Sequence, residues 1–430
     1  MRRLFLAVLL LLGACATASG PMAAADPSGD NLDAIAADYV RLTLEIGERE
    51  PGYVDAYYGP PEWAEAAKAA PRDVPALMQG AASLTNRLNA VSVPSTDPMI
   101  VQRKAYLLAH VSAASARLRF IQGERLPFAD EAFALFGVRP ELKPLSNYDA
   151  TLAQIDAMLP GDGPLVDRVA AFKSAFIIPR DRLEPVMTAA IAECRRRTAE
   201  HIVLPANERF TLAFVTDKPW SGYNYYEGDG SSRIEINTDF PIYTERAIDL
   251  GCHEGYPGHH VYNALLERTF VRERGWVEMS VYPLFSPMSF VAEGSANYGI
   301  DLAFPGDEGA RFEQDVLAPL AGITSADFEK KVRLQALTRQ LARAEYTIAD
   351  DFLAGRVTRE ETIARLARYT LTTPDKAAQR LRFVETYRSY IINYGLGRDT
   401  VETWVEAQGA DHWRGMETLL ASQILPVDLL

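Results

Sequence analysis

The chain has 430 residues, 48% of them apolar and 23% charged, with a formal net charge of −13 at pH 7. That balance excludes an intrinsically disordered chain and allows a large buried core. The acidity excludes a sequence-independent grip on nucleic acid, which needs positive surface to displace phosphate counterions.

In chain order, Met1-Arg2-Arg3 precedes an apolar run from Leu4 to Leu12. This is the pattern of an export signal, and the run is far short of the ~20 residues that a membrane-spanning helix requires. Leu12-Gly13-Ala14-Cys15 resembles a bacterial lipobox. Residues 1–14 are therefore expected to be a signal peptide, and Cys15 the lipidated first residue of an exported, membrane-anchored protein facing the periplasm or cell surface. Ordinary signal-peptidase cleavage near Ala16 to Ala18 is the alternative. Residues 15–31 read as the lipidated cysteine and a flexible tether, since Ala, Ser, Gly, Pro and Asp dominate after Cys15 and offer little to pack. Cys194 and Cys252 are then the remaining cysteines, and an exported compartment permits a disulfide without requiring one.

Ordered structure is expected from Leu32, where Leu32, Ile35, Tyr39, Leu42 and Ile46 recur at helical spacing until Pro51-Gly52. Similar patterns predict helices over 100–122, 147–159, 164–177 and 180–201, one long amphipathic helix within 326–353, and more helix over 373–422. Arg195-Arg196-Arg197, between Glu193 and Glu200, reads as a solvated helix face. Phe210 to Val215 is β-prone, and after a Gly- and Tyr-rich turn Arg233 to Asn237 alternates polar and apolar, which predicts a small sheet. A single domain is expected over 32–430, with a helical half at 32–205 and a catalytic half at 206–430.

Of six histidines, three fall inside His253-Glu254-Gly255-Tyr256-Pro257-Gly258-His259-His260. Neutral imidazole is a usual zinc ligand, and a catalytic zinc takes three protein ligands and keeps a fourth position open. The common zinc-peptidase motif spaces its histidines by four, on one helical face. On a regular helix the step from His253 to His259 covers ~9 Å and turns ~120°, whereas two ligands of one zinc lie ~3.4 Å apart. His260 returns to nearly the same face but ~10 Å along the axis. Pro257 and Gly258 are therefore expected to bulge the helix. Either His259 or His260 then serves as second ligand, with Glu254 as base. Cys252 reads as a small buried hydrophobe, because as a further ligand it would close the site.

The motif His-Glu-x-x-Pro-Gly-His-His resembles the bacterial domain-of-unknown-function family 885, related to thimet oligopeptidase and the Taq-type carboxypeptidase among zinc peptidases of the gluzincin type. Phe290-Val291-Ala292-Glu293-Gly294-Ser295-Ala296-Asn297-Tyr298 is similar to that family's Glu-Gly-Trp-Ala-x-Tyr segment, with Ser295 where tryptophan is usual. The likeness extends over about 205–430 and includes Arg233 to Asn237 and Tyr394-Gly395-Leu396-Gly397. It implies a mainly α fold: a large, two-lobed helical catalytic domain around a cleft, with a small β-sheet next to the zinc-binding helix. It implies one Zn2+ per chain held by His253, His259 and Glu293, with Glu254 kept free as base. Tyr394, Tyr390 and Arg388 are the implied donors to the transition-state oxygen. His260 is either a neighbour of the ligands or the alternative to His259, and Asn297 either orients a ligand histidine or makes a helix–helix contact. The family's late histidine is unmatched, since Met416 falls at its place and His412 has no assigned role.

The expected activity is zinc-dependent hydrolysis of peptide bonds, as an oligopeptidase or carboxypeptidase, by an envelope lipoprotein. The peptide is expected to pair with a free edge of the 232–237 strand. Arg388, Arg382 or Arg398 are candidates for catching a substrate carboxylate. Tyr223, Tyr225 and Tyr226 form either a loop near the cleft or a packed aromatic cluster. The alternatives are a zinc- or peptide-binding lipoprotein without turnover, and a metal-dependent amidase acting on cell-wall or other non-peptide amides.

Overall fold

The computed structural model describes residues 31–430 apart from 95 and 325. The expected signal peptide, Cys15 and all of the tether before Asn31 lie outside the described residues. Among the described residues no helix is long and apolar enough to cross a membrane.

The fold is mainly α. Helix α1 (Leu32–Arg49) starts where the Asn31 side chain accepts from the Ala34 N–H at 2.8 Å, as an N-cap should. Its Leu32, Ile35, Tyr39, Leu42 and Ile46 stripe is buried, each side chain contributing on the order of 2 kcal/mol. After the Pro51-Gly52 stop comes a short strand, β1 (Val54–Tyr57), then helix α2 (Pro98–Ile121) and helix α3 (Leu183–Ala199). On α3 the arginine cluster is ion-paired: Arg196 with Glu193 and Glu200, Arg197 with Glu193 and Glu308, Arg195 with Glu208.

The sheet follows as β2 (Arg209–Val215), β3 (Gly222–Gly228) and β4 (Ser231–Asn237), in the order β2-β4-β3. The segment read as a Gly- and Tyr-rich turn is largely β3, which returns through Asp229-Gly230, both at positive φ, to pair antiparallel with β4. Strand β4 is parallel to β2 on its other side. This corrects the expected docking edge, because both edges of 232–237 already carry ladder hydrogen bonds. Strand β5 (Val281–Pro283) pairs with β1.

The remaining elements used below are helices α4 (Thr244–Leu250), α5 (His259–Leu266), α6 (Pro287–Ala303), α7 (Phe328–Leu341), α8 (Ala344–Leu353), α9 (Pro374–Tyr387) and α10 (Ile392–Ala407). Thus 326–353 is two helices, α7 and α8, in place of one. The chain turns at Ala342-Arg343 because the halves pack on different neighbours, α7 on the Asp149–Met158 helix and α8 chiefly on the Arg359–Thr370 helix.

Buried side chains form two apolar cores. One gathers α1, most of α2, and α7 to α9; the other holds α3, the sheet, α5, and most of α6 and α10. Both contribute walls to a cleft of about 610 Å³. Cys194 on α3 and Cys252 form a disulfide, which corrects the reading of Cys252 as a plain hydrophobe. By restricting the unfolded chain across a separation of 58 residues the bond contributes on the order of 4 kcal/mol. It also ties the residue before His253 to α3.

Candidate metal centre

Helix α4 runs into a π-helical turn, Gly251–Gly255, which carries Cys252, His253 and Glu254. Such wide turns recur at functional sites. At Tyr256 the chain leaves the helix with φ −130° and ψ 114°, the Tyr256–Pro257 peptide is cis, and α5 begins at His259. The expected bulge inside one helix is therefore a break between two. The Gly258 N–H donates back to the Cys252 carbonyl at 3.0 Å, folding the chain onto the preceding turn. Glycine is demanded there by space, since a Cβ at position 258 would stand 1.8 Å from the His253 carbonyl oxygen.

This break brings the Nε2 atoms of His253 and His259 to 3.1 Å. Glu293 arrives from α6, which crosses α10 so closely that a Cβ on Gly294 would meet the Gly397 carbonyl at 2.6 Å. Its Oε2 lies 3.2 Å from His253 Nε2 and 3.7 Å from His259 Nε2. Tetrahedral zinc ligands sit ~3.4 Å apart, so the separations fit one metal ion. Glu293 Oε1 accepts from the Tyr390 hydroxyl at 2.7 Å, whereas buried Oε2 has no hydrogen-bond donor. A buried carboxylate oxygen without a donor is costly, and a cation at the point where it meets the two imidazoles satisfies it.

The electrostatics agree. Burial opposes charge on Glu293, but His259 and His253 outweigh it and hold its carboxyl well below the usual range. Burial also opposes a charged His259, yet Glu293, Glu254 and Asp55 push it up to about 9. The carboxylates surrounding these imidazoles thus create a site that favours positive charge. Glu254 is buried, and that burial raises its carboxyl above the ordinary value. Its backbone carbonyl accepts from Asn224 Nδ2 at 2.6 Å, which ties the π-helical turn to β3.

Tyr394 lines the cleft with its ring 6.3 Å from that of His253 and nearly parallel to it. Burial first, then Glu293 and Glu254, push its hydroxyl far up, so it stays protonated and able to donate. Arg388 is corrected: its Nε donates to buried Glu131 at 2.7 Å, and it does not line the cleft. His260 is corrected as an alternative ligand. Its Nε2–H donates to Glu208 at 3.0 Å and its Nδ1 accepts from Ser232 at 2.8 Å, so both ring nitrogens are engaged away from His253. Asn297 lines the cleft but donates to the Glu293 carbonyl of its own helix at 2.8 Å, in place of a histidine. Arg398 is neutralised by Asp301, Asp399 and Glu402, and neither Arg382 nor His412 lines the cleft. Ser295 and Met416 are buried packing residues.

The sequence reading missed Asp55. It projects from β1 into the cleft and accepts from the Tyr223 hydroxyl of β3. Burial, with Glu293 and Glu254 nearby, raises it to about 6 against the pull of Tyr223 and His259. The only local signal was the four-residue Val54-Asp55-Ala56-Tyr57, too short a stretch for alternation to register. Tyr387 and Lys376, on one face of α9, were missed as well.

No protein-family profile matches the sequence, and no curated protein matches it significantly. Among solved structures it is similar to a presumed lipoprotein from Colwellia psychrerythraea, with a TM-score of 0.52 and 17% identity over 82% of this chain. This chain spans 65% of the length of that protein, and the likeness concerns the fold. A presumed lipoprotein from Shewanella oneidensis aligns with a TM-score of 0.48 and 13% identity, covering 85% of this chain and 74% of that one. An M32 carboxypeptidase from Deinococcus radiodurans aligns with a TM-score of 0.35 and 13% identity, covering 90% and 87%.

Proposed function

We propose that this chain is a zinc-dependent peptidase, with one Zn2+ held by His253, His259 and Glu293. The observation that carries the reading is the convergence of the two Nε2 atoms with a buried, donor-less carboxylate oxygen at 3.1 to 3.7 Å. Zinc bound there supplies Lewis acidity, which acidifies water and polarises a carbonyl.

The chain's own groups divide the remaining work. Glu254, adjacent to His253 and free of the ligand set, takes the proton of the attacking water and delivers it to the leaving amine. Its burial raises its affinity for that proton toward the value a shuttle at neutral pH needs. Tyr394 donates to the oxygen that gains charge as the carbonyl is attacked. Tyr390 has one proton and spends it on Glu293, so it positions a ligand in place of touching substrate. A peptide strand adds to β3, whose outer edge carries no hydrogen-bonded strand among the described residues and whose Gly222, Tyr223 and Asn224 line the cleft.

The motif's resemblance to family 885 favours an oligopeptidase or carboxypeptidase, formed by one domain over 32–430 and anchored in the cell envelope through lipidated Cys15. Glu254→Gln tests the reading: the variant should retain stoichiometric zinc and lose on the order of 10³-fold in peptide turnover. Equal cleavage of peptide libraries by variant and wild type would refute the mechanism. Zinc without turnover in the wild type would leave a binding lipoprotein, and hydrolysis confined to cell-wall amides would reassign the substrate.

A further inference from the structure

One face of α9 forms a wall of the cleft: Lys376, Gln379, Arg380, Phe383 and Tyr387 follow one another at helical steps. The face is cationic at its start and aromatic at its end. Of the lysines and arginines lining the cleft, Arg246, Arg339, Arg343, Arg380 and Arg398 each have a carboxylate partner. Lys376 has none within ion-pair distance among the described residues. Its ammonium donates to Gln379 Oε1 at 2.5 Å and lies 4.5 Å from the centre of the Phe240 ring. Burial, followed by the neighbouring Arg380 and Arg246, lowers it to about 8 against a weaker pull from Asp239. A half-buried ammonium on the cleft wall with no carboxylate in direct contact is placed to take an anion from a bound ligand.

Strand direction leads independently to the same place. Strand β3 starts at Gly222, where a Cβ would stand 2.9 Å from Glu254 Oε1. A peptide pairing antiparallel with β3 runs from the Gly228 end to the Gly222 end, so its carboxyl terminus emerges past Gly222. There Ser221, Trp220 and Pro219 continue the cleft wall, and the Lys218 carbonyl accepts from Gln379 of α9 at 3.2 Å. That is one helical turn from Lys376.

We propose that Lys376 binds the free α-carboxylate of the peptide substrate, an assignment that rests on the peptidase reading. From Lys376 to Tyr387 the α9 axis covers ~16 Å, about five extended residues. The anchor therefore lies at the opposite end of this face from Tyr387.

The test measures binding of an N-terminally labelled peptide to full-length, zinc-loaded Glu254→Gln protein, as a free acid and as a C-terminal amide. The acid should bind roughly tenfold more tightly, as expected for a charge-assisted contact in a partly desolvated cleft. Lys376→Met on that background should erase the difference, and Lys376→Arg should keep most of it. Equal binding of acid and amide, or a preference that survives Lys376→Met, overturns the proposal. A C-terminal amide carrying a terminal glutamate side chain should bind like the plain amide; binding like the free acid would transfer the anchor to side-chain carboxylates and overturn the α-carboxylate assignment. Wild-type protein that cleaves both peptides without an acid preference sinks the anchor alone. Wild-type protein that cleaves neither, while the Lys376-dependent binding preference persists, sinks the hydrolase and supports the anchor.

Discussion

Tyr390→Phe removes one oxygen atom and leaves the ring that packs against Phe285, Phe383 and Tyr394. Tyr390 is buried, and its hydroxyl donates to Glu293 Oε1 at 2.7 Å. Loss of that donor leaves a buried carboxylate oxygen unpaired. A hydrogen bond to a charged group contributes about 1.5 to 3 kcal/mol, which as a change in affinity is roughly 10- to 100-fold. Partners of metal ligands act on this scale through orientation and basicity. Zinc affinity, measured by competition with a chromophoric chelator, should fall by that factor, and the zinc-dependent rise in melting temperature should shrink with it. A folded variant whose zinc affinity stays within about twofold of wild type would refute the reasoning. Unchanged affinity with a large fall in kcat at saturating zinc would place the hydroxyl on the substrate instead of on Glu293.

Gly258→Ala puts a methyl group 1.8 Å from the His253 carbonyl; the turn must open, so the variant should lose stoichiometric zinc, and metal analysis showing full occupancy would contradict the geometry. Glu208→Gln probes the network behind the break. Burial alone would raise the Glu208 carboxyl, but bonds from His260, Tyr256 and Arg195 outweigh it and hold it down to about 2 from an ordinary 4.5. A depressed carboxylate contributes stability that is full above pH 4.5 and is lost as pH falls through about 2. The gap in melting temperature between wild type and variant should therefore be wide at neutral pH and close as the solution is acidified; a gap that widens in acid would be inconsistent with it.

Much of the helical fold was legible because helix periodicity is a local property. The buried stripe of α1 could be read directly, and so could 210–215 and 233–237, which lie within the strands β2 and β4. Strand β3 was hidden by Gly222, Gly228 and a run of tyrosines that resemble a turn until β4 is there to pair with them. The split of 326–353 was hidden for a related reason: both halves carry helical spacing, and only their different packing partners turn the chain between them.

At the centre, the amino-acid sequence by itself determined the chemistry on offer: a histidine cluster with a glutamate beside it, and a Pro-Gly pair that forbids a regular helix. Tertiary structure decided how that chemistry is deployed. It turned His260 toward Ser232 and Glu208, committed Arg388 to Glu131 and Tyr390 to Glu293, joined Cys252 to Cys194, and brought Asp55 and Lys376 to the cleft. Spacing along the chain constrains neighbours within a few turns. Asp55 and Tyr223 are 168 residues apart, and Arg388 and Glu131 are 257 apart; such pairs meet because helices and strands pack, and no local pattern encodes which partners packing will supply.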